Sequence, residues 1–311
     1  MTLKNSKRIV VVYSPGSTRA SGYAKVRTKV IDITNSDGLG FKEIRLNDVF
    51  YLTACNLIKK ELKSGDIVLA AGGDGTAQVA FDAAYSSNKA VVYGTIPLGN
   101  GNDVSRSINR GRRHLVDILN QPANDFYPLN IYVNNQRYFS LISYLTFGAT
   151  TVLVDYINRE TARQKRRVLR TLSPAVSLPI NKINKISYEI SNLEFPDFYR
   201  SKNIMTEDSV GFFIVSAAHN LLKVPKRLVS SSSQFFFHYA TTKNKNLGQK
   251  IIMAGKWSIK FPGELSDIEE LKFINKSNIT ANIAGDNVDL KDVNNIMAIR
   301  GQRPIKVLMS N

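Results

Sequence analysis

The sequence predicts two regions of different fold class. An α/β domain with a mostly parallel sheet occupies residues 1–123, and an all-β antiparallel sandwich occupies residues 124–302. Three observations carry this. At 311 residues the chain exceeds the usual size of a single hydrophobic core. Apolar strand-like runs alternate with helical patterns up to about residue 120, the signature of a parallel α/β layer. Beyond residue 125 strand-like runs follow one another with few helical interruptions, as in a sandwich or barrel.

In order along the chain, "RIVVVYS" (8–14) is β-branched and strand-like, and "FKEIRLN" (41–47) supplies a second strand. Phe50, Ala54, Leu57, Ile58 and Leu62 then recur at helical spacing, which predicts a helix burying those five side chains. "DIVLAAG" (66–72) reads as a buried strand, residues 76–85 as a helix, and "AVVYGTIP" (90–97) as another buried strand. The second region contributes "LNIYVNN", "RYFSLISYL", "KISYEIS", "SVGFFIVSAA", "SQFFFHYATT", "KWSIKF" and "SNITANIA", with one helical stretch near 149–172. The last run, "RPIKVLM" (303–309), packs with the second region or returns to complete the first.

Charge bounds the partners. The chain has 42 Lys and Arg against 25 Asp and Glu, a net +17, which implies an anionic partner: a membrane surface, phosphate-bearing substrates or nucleic acid. Basic residues cluster at 159–170 and at Arg106, Arg110, Arg112 and Arg113, patterns that also suit plain solvated helices. No zinc-finger, RRM or basic-zipper signature is present, so nucleic acid is not expected. A single cysteine, Cys55, excludes an intrachain disulfide framework, and His114, His219 and His238 are isolated. No run approaches about 18 apolar residues, so the expectation is a soluble, cytoplasmic protein, peripheral at a membrane.

Two glycine-rich stretches follow buried strands. In parallel α/β sheets ligands bind beyond the carboxyl ends of the strands, where "GGDGT" (72–76) lies. Glycines let several N–H groups approach one phosphate, and the following helix adds its positive end. Gly72, Gly73, Gly75 and Thr76 are thus candidate phosphate ligands, and Asp74 would repel phosphate unless it holds a metal ion or accepts a proton. A tight turn capped by Asp74 is the plain alternative. "IPLGNGND" (96–103) repeats the pattern with Gly99, Asn100, Asn102 and Asp103 before another helical segment. Neither a dinucleotide G-x-G-x-x-G, since Val104 replaces its third glycine, nor a P-loop is present.

"GGDGT" followed at this spacing by "IPLGxGND" resembles the diacylglycerol kinase catalytic-domain family, which includes bacterial lipid kinases and sphingosine and ceramide kinases. The resemblance implies an ATP-binding first domain of the NAD-kinase/phosphofructokinase type, an antiparallel lipid-substrate domain, and Mg²⁺ at Asp74. It implies a kinase that transfers the γ-phosphate of ATP to a lipid hydroxyl, with the lipid and an anionic membrane as partners. The oligomeric state, monomer or homodimer, stays open. Ser14 of "SPGSTRASG" stands for the first residue of the family's N-terminal motif, and Gln78 for an Asn. The family's "DGE" falls on "NIAGDNVDL" (282–290), where Ala284 replaces the Asp and Asp286 the Glu proposed as general base. Asp286, or Asp74 in its place, is therefore the catalytic candidate, and a solvated turn is the alternative for Asp286. "LISYLTFGA" (141–149) departs from the family's "NxxxxGFDA", and "SSSSQFF" (230–236) replaces an acidic metal site. A soluble NAD-kinase-like enzyme, or a non-catalytic relative that binds ATP and membrane, are the alternatives.

Overall fold

Three consecutive valines, flanked by Ile9 and Tyr13, make the first strand a two-faced apolar ribbon, and the computed structural model buries it on both faces. The structure describes residues 6–148 apart from 18, 48–49, 100–101, 111 and 113, the strands named below from 197 onward, Ala284, and 292–309 apart from nothing further. In the first half the elements run β1 (Arg8–Tyr13), α1 (Tyr23–Ser36), β2 (Gly40–Arg45), α2 (Tyr51–Glu61), β3 (Asp66–Gly72), α3 (Asp74–Ser86), β4 (Val92–Pro97), α4 (Asp103–Asn109), α5 (Leu115–Leu119) and β5 (Ala123–Phe126). The later strands are β6 (Leu129–Val133), β7 (Gln136–Leu141), β8 (Tyr144–Gly148), β9 (Asp197–Arg200), β10 (Asn203–Met205), β11 (Val210–Ser216), β12 (Asn220–Leu221), β13 (Val224–Pro225), β14 (Phe235–Thr241), β15 (Gly263–Ile268), β16 (Glu270–Ile274), β17 (Ile279–Ile283), β18 (Asp286–Leu290), β19 (Asn295–Arg300) and β20 (Ile305–Leu308).

The first sheet has the order β2-β1-β3-β4-β20-β5, parallel from β2 through β20, with β5 antiparallel at the edge. Val10, Val12, Val68 and Ala70 face a core shared with α2, α3 and α4, while Ile9, Val11, Ile67 and Leu69 face α1 and α5. Burial on both faces is why these strands read as continuous apolar runs. The chain passes from β1 outward to β2 and back across to β3, so the sheet's switch point lies between β1 and β3. In parallel sheets the loops after the strands that flank such a point are where a ligand crevice forms.

The remaining strands form two six-stranded antiparallel sheets, β10-β9-β16-β19-β6-β7 and β15-β14-β11-β8-β17-β18, and a β12–β13 pair. Leu129, Ile131, Phe139 and Leu141 of one sheet meet Leu145, Ala281 and Ile283 of the other in a shared core. The fold class is the expected one. The expected helix at 149–172, the strands at 185–191 and 256–261, the serine run at 230–234 and the basic cluster 159–170 lie outside the described residues.

Two local expectations are corrected. Phe50 and Leu57, expected on the buried face of the second helix, are 87% and 41% exposed, and Cys55 joins Ala54, Ile58 and Leu62 in the core instead. Phe50 is the N-cap, with extended backbone at φ −53° and ψ 145°, so it falls off the helical period. "RYFSLISYL", read as one strand, is two: the chain leaves β7 at Leu141 and re-enters β8 at Tyr144.

Candidate active site

At the end of β3 the chain turns directly into α3. Gly73 is the N-cap and Asp74 the first helical residue, two positions earlier than the sequence spacing suggested. No side chain caps this terminus, so the first N–H groups, from Asp74, Gly75 and Thr76, carry the positive end of a 13-residue helix. Gly72 is required by packing: a Cβ there would lie 2.3–2.8 Å from three atoms of the buried Thr76 side chain.

The second glycine stretch packs straight onto the first. Leu98 N–H donates to the Gly72 carbonyl at 2.9 Å, extending the β3–β4 pairing into the loops. A Cβ on Gly99 would stand 2.4 Å from the Cα of Gly73, so the two backbones touch where any side chain would separate them. Asn102, in the left-handed region at φ 53°, braces its own loop: its Oδ1 accepts from Gly99 N–H at 2.9 Å and its Nδ2 donates to the Gly99 carbonyl. Asn100 lies outside the described residues. The loop after β1 closes the third side. Ser14 N–H donates to the Ala71 carbonyl at 3.4 Å, Ser17 N–H to the Ser14 carbonyl at 3.2 Å, and Arg19 N–H to the Leu98 carbonyl at 2.9 Å.

Asp74 bridges the two stretches. Its Oδ1 accepts the Val104 N–H at 3.0 Å, so the carboxylate caps α4 from another helix. Burial, and then the neighbouring Asp103 carboxylate, push its pKa up; the backbone N–H groups of Val104 and Asp103 and the Arg106 guanidinium pull it back. Asp103 is buried and ion-paired with Arg106. Arg106 Nε is itself buried with no hydrogen-bond partner. Two carboxylates and one guanidinium thus lie together beside the N–H groups that open α3. Among the described residues no group of three or more His, Cys, Asp or Glu converges. The Asp103 carboxylate beside that of Asp74, whose pKa it raises, makes a donor pair that fits a divalent cation keeping most of its waters.

Gln78, expected beside the nucleotide, is corrected by the structure. Its side chain is fully buried, with both ends of the amide engaged by the β7–β8 corner and Tyr51, so it does not face the crevice. Asp82, one turn further along α3, is also buried. It accepts from Ser140 N–H at 3.0 Å, the Tyr51 hydroxyl at 3.2 Å, Arg137 at 3.3 Å and Cys55 Sγ at 3.7 Å. Burial lifts its pKa to about 6 against the pull of those donors. The sequence reading missed this seam. Its trace was the polar series Asp74, Gln78, Asp82, each four residues on, in an otherwise alanine-rich helix.

Asp286 begins β18. It pairs with Ile283 across the turn of the β17–β18 hairpin, and the turn residue Ala284 has φ 52°. The Ala284 N–H donates to the Tyr144 carbonyl at 3.3 Å, which fixes this turn to the start of β8. The Asp286 side chain lies outside the described residues.

Comparison with known proteins agrees with this architecture. Residues 8–125 match the family model of the diacylglycerol kinase catalytic domain, so the resemblance carried by the two glycine stretches holds from β1 through β4. No curated protein matches the chain. Three solved structures from Bacillus anthracis str. Sterne share its fold at 11% identity. Two, named as a candidate diacylglycerol kinase, have TM-scores of 0.66 and 0.67, covering 98% of this chain and 99% and 97% of theirs. A third, named as a diacylglycerol kinase, has a TM-score of 0.62 over 98% of this chain and 97% of its own.

Proposed function

We propose that the protein is an ATP-dependent lipid kinase that transfers the γ-phosphoryl group of ATP to a hydroxyl of a diacylglycerol-like lipid. The observation that carries the reading is the contact of two glycine stretches beyond the carboxyl ends of the adjacent parallel strands β3 and β4, with an uncapped helix N-terminus and a carboxylate between them. The family match over residues 8–125 supports a kinase.

In this reading the N–H groups at 73–76 and the loop at 98–102 cradle the triphosphate. Phosphoryl transfer is mostly positioning and charge neutralisation, which a preformed cradle supplies. Asp74 would hold Mg²⁺, with Asp103 beside it, and the bound ion would neutralise phosphate charge. Asp286 would take the proton from the lipid hydroxyl as its oxygen bonds the γ-phosphorus and ADP leaves with the bridging oxygen. An aspartate reaches about one methylene less far than a glutamate, so the hydroxyl must sit within roughly 3 Å of it. The net charge of +17, and exposed Arg110 and exposed Arg112 beside the second loop, favour attachment to an anionic membrane surface. Among the described residues no helix is long and apolar enough to cross a membrane.

The test is transfer of labelled γ-phosphate from Mg·ATP into a total lipid extract in mixed micelles. Asp74→Asn is expected to abolish transfer while the fold survives, and Asp286→Asn to abolish transfer with ATP binding retained. A fully active Asp74→Asn protein refutes the assignment. Label appearing in NAD and in no lipid replaces it with a soluble small-molecule kinase.

A further inference from the structure

The side chain of Gln78 ties the crevice to the strand-rich half. It lies one turn after Asp74 on α3, and it is completely buried. Its Oε1 accepts from Ile142 N–H at 3.1 Å, Ser143 N–H at 3.3 Å and the Ser143 hydroxyl at 2.8 Å. Its Nε2 donates to the Ser140 carbonyl at 2.8 Å and to the Tyr51 hydroxyl at 3.0 Å. Donors surround one end and acceptors the other, so the amide has one orientation. With Asp82 accepting the Ser140 N–H, two side chains of α3 satisfy both backbone groups of Ser140 on β7, which is an edge strand of its sheet.

The connection continues. Ser143 is followed by Tyr144, whose carbonyl holds the Ala284 N–H in the turn that leads into Asp286. Leu145 of β8 pairs with Ile283 in the same hairpin. A short hydrogen-bonded path therefore runs from the second turn of α3, through the β7–β8 corner, to the start of β18. At its two ends stand the phosphate cradle and the residue read as the base.

We propose that Gln78 is a positioning residue that sets the separation between the phosphate cradle on α3 and the hairpin bearing Asp286. The proposal rests on the phosphotransfer reading above. Gln78 touches neither nucleotide nor acceptor; it acts through Ser143 and Tyr144. In-line transfer is sensitive to placement, and a shift of about 1 Å costs on the order of 100-fold in rate. An uncoupled cradle would keep its own contacts with the nucleotide, so the loss falls on kcat and leaves KM for ATP nearly untouched.

Two variants test it. Gln78→Leu removes all five hydrogen bonds at similar volume. Gln78→Glu keeps the shape but, when ionised, sets a carboxylate oxygen against the Ser140 carbonyl; when protonated, it again has a donor for that position. Burial raises the pKa of the introduced carboxyl, so the donor is present in acid and lost as pH rises through that pKa. Tyr51, Asp82, Cys55 and Arg137 surround the position in native protein and variant alike, and Asp82 titrates in the same window. The activity ratio of Gln78→Glu to native is therefore also taken in the Asp82→Asn background, where only the new carboxyl titrates. The expected results are a roughly 100-fold lower kcat for Gln78→Leu with KM for ATP within about threefold of native, and a Gln78→Glu ratio that climbs toward one between pH 8 and pH 5.5. Hydrogen exchange of residues 279–290 supplies a readout independent of turnover, and faster exchange in Gln78→Leu is expected there. Native-like kcat in Gln78→Leu, or a Gln78→Glu ratio flat with pH, overturns the proposal. If the native protein phosphorylates no lipid, the kinase reading fails by itself. Exchange then decides the coupling: unchanged protection at 279–290 overturns it and lost protection upholds it.

Discussion

The contact between Gly73 and Gly99 makes an asymmetric prediction. A methyl group added to Gly99 would lie 2.4 Å from Gly73 Cα and 3.2 Å from Gly73 N, both backbone atoms at the junction of β3 and α3. Ordinary carbon contacts begin near 3.5 Å, so the loops must part by about 1 Å. Neither side can give by rotating a side chain. Seen from the other loop the contact is slack. A Cβ on Gly73 meets Gly99 Cα at 3.5 Å, and Gly73 has φ −91° and ψ −167°, which any residue adopts. Overpacking of this kind costs roughly 1–3 kcal/mol, or about 2–4 °C in Tm per kcal/mol for a domain of this size. Gly99→Ala should therefore melt several degrees lower and lose most of its ATP affinity, whereas Gly73→Ala should melt within about a degree of native. Thermal unfolding and calorimetric titration with Mg·ATP measure both. Equal behaviour of the two variants refutes the claim that the loops touch.

The buried Asp82 makes stability depend on pH. Its folded pKa of about 6 lies above the unfolded value, so the favourable protonated form is fully present below about pH 4 and its stabilisation is lost as pH rises through 6. Relative to Asp82→Asn, the native protein should gain about 2 kcal/mol in urea unfolding between pH 7.5 and pH 4; a flat difference would count against the assignment. At the opposite end of the sheet Arg8 donates to Asp66 at 2.7 and 3.1 Å, and the two residues are direct register partners on β1 and β3. Arg8→Met leaves a carboxylate that is 1% exposed with, among the described residues, the Lys63 N–H as its remaining hydrogen-bond donor, and should lower stability by roughly 3 kcal/mol without changing KM for ATP. A change in KM there would mean that the amino end of these strands influences the nucleotide site.

Much of this was legible in the sequence, for reasons that also mark where it stopped. β3 and β4 were read because strands buried on both faces need no partner to declare themselves. The two glycine stretches were read because close backbone approach permits few alternatives. The break between β7 and β8 was invisible, since the groups that take up the Ile142 and Ser143 amides belong to a glutamine more than 60 residues earlier. α1 was not anticipated, because only Tyr23, Val30 and Thr34 of its 14 residues are buried, too sparse a stripe to show a period. Gln78 was read from its neighbours in a phosphate motif, yet a helix turns each residue about 100° from the last, and two positions past Thr76 already faces the other half of the molecule.

The place of β20 has a consequence for how the chain comes to be folded. It sits between β4 and β5, the sole partner of β5 among the described strands, and it arrives only after the whole strand-rich half has been threaded. A nascent chain that has emerged through residue 126 therefore holds the two glycine stretches in a sheet of four paired strands, with the open side of β4 awaiting a strand not yet made. The cradle segment cannot be expressed as an autonomous piece without exposing that edge, and an insertion tolerated elsewhere in a connecting loop would here delay closure of the sheet itself.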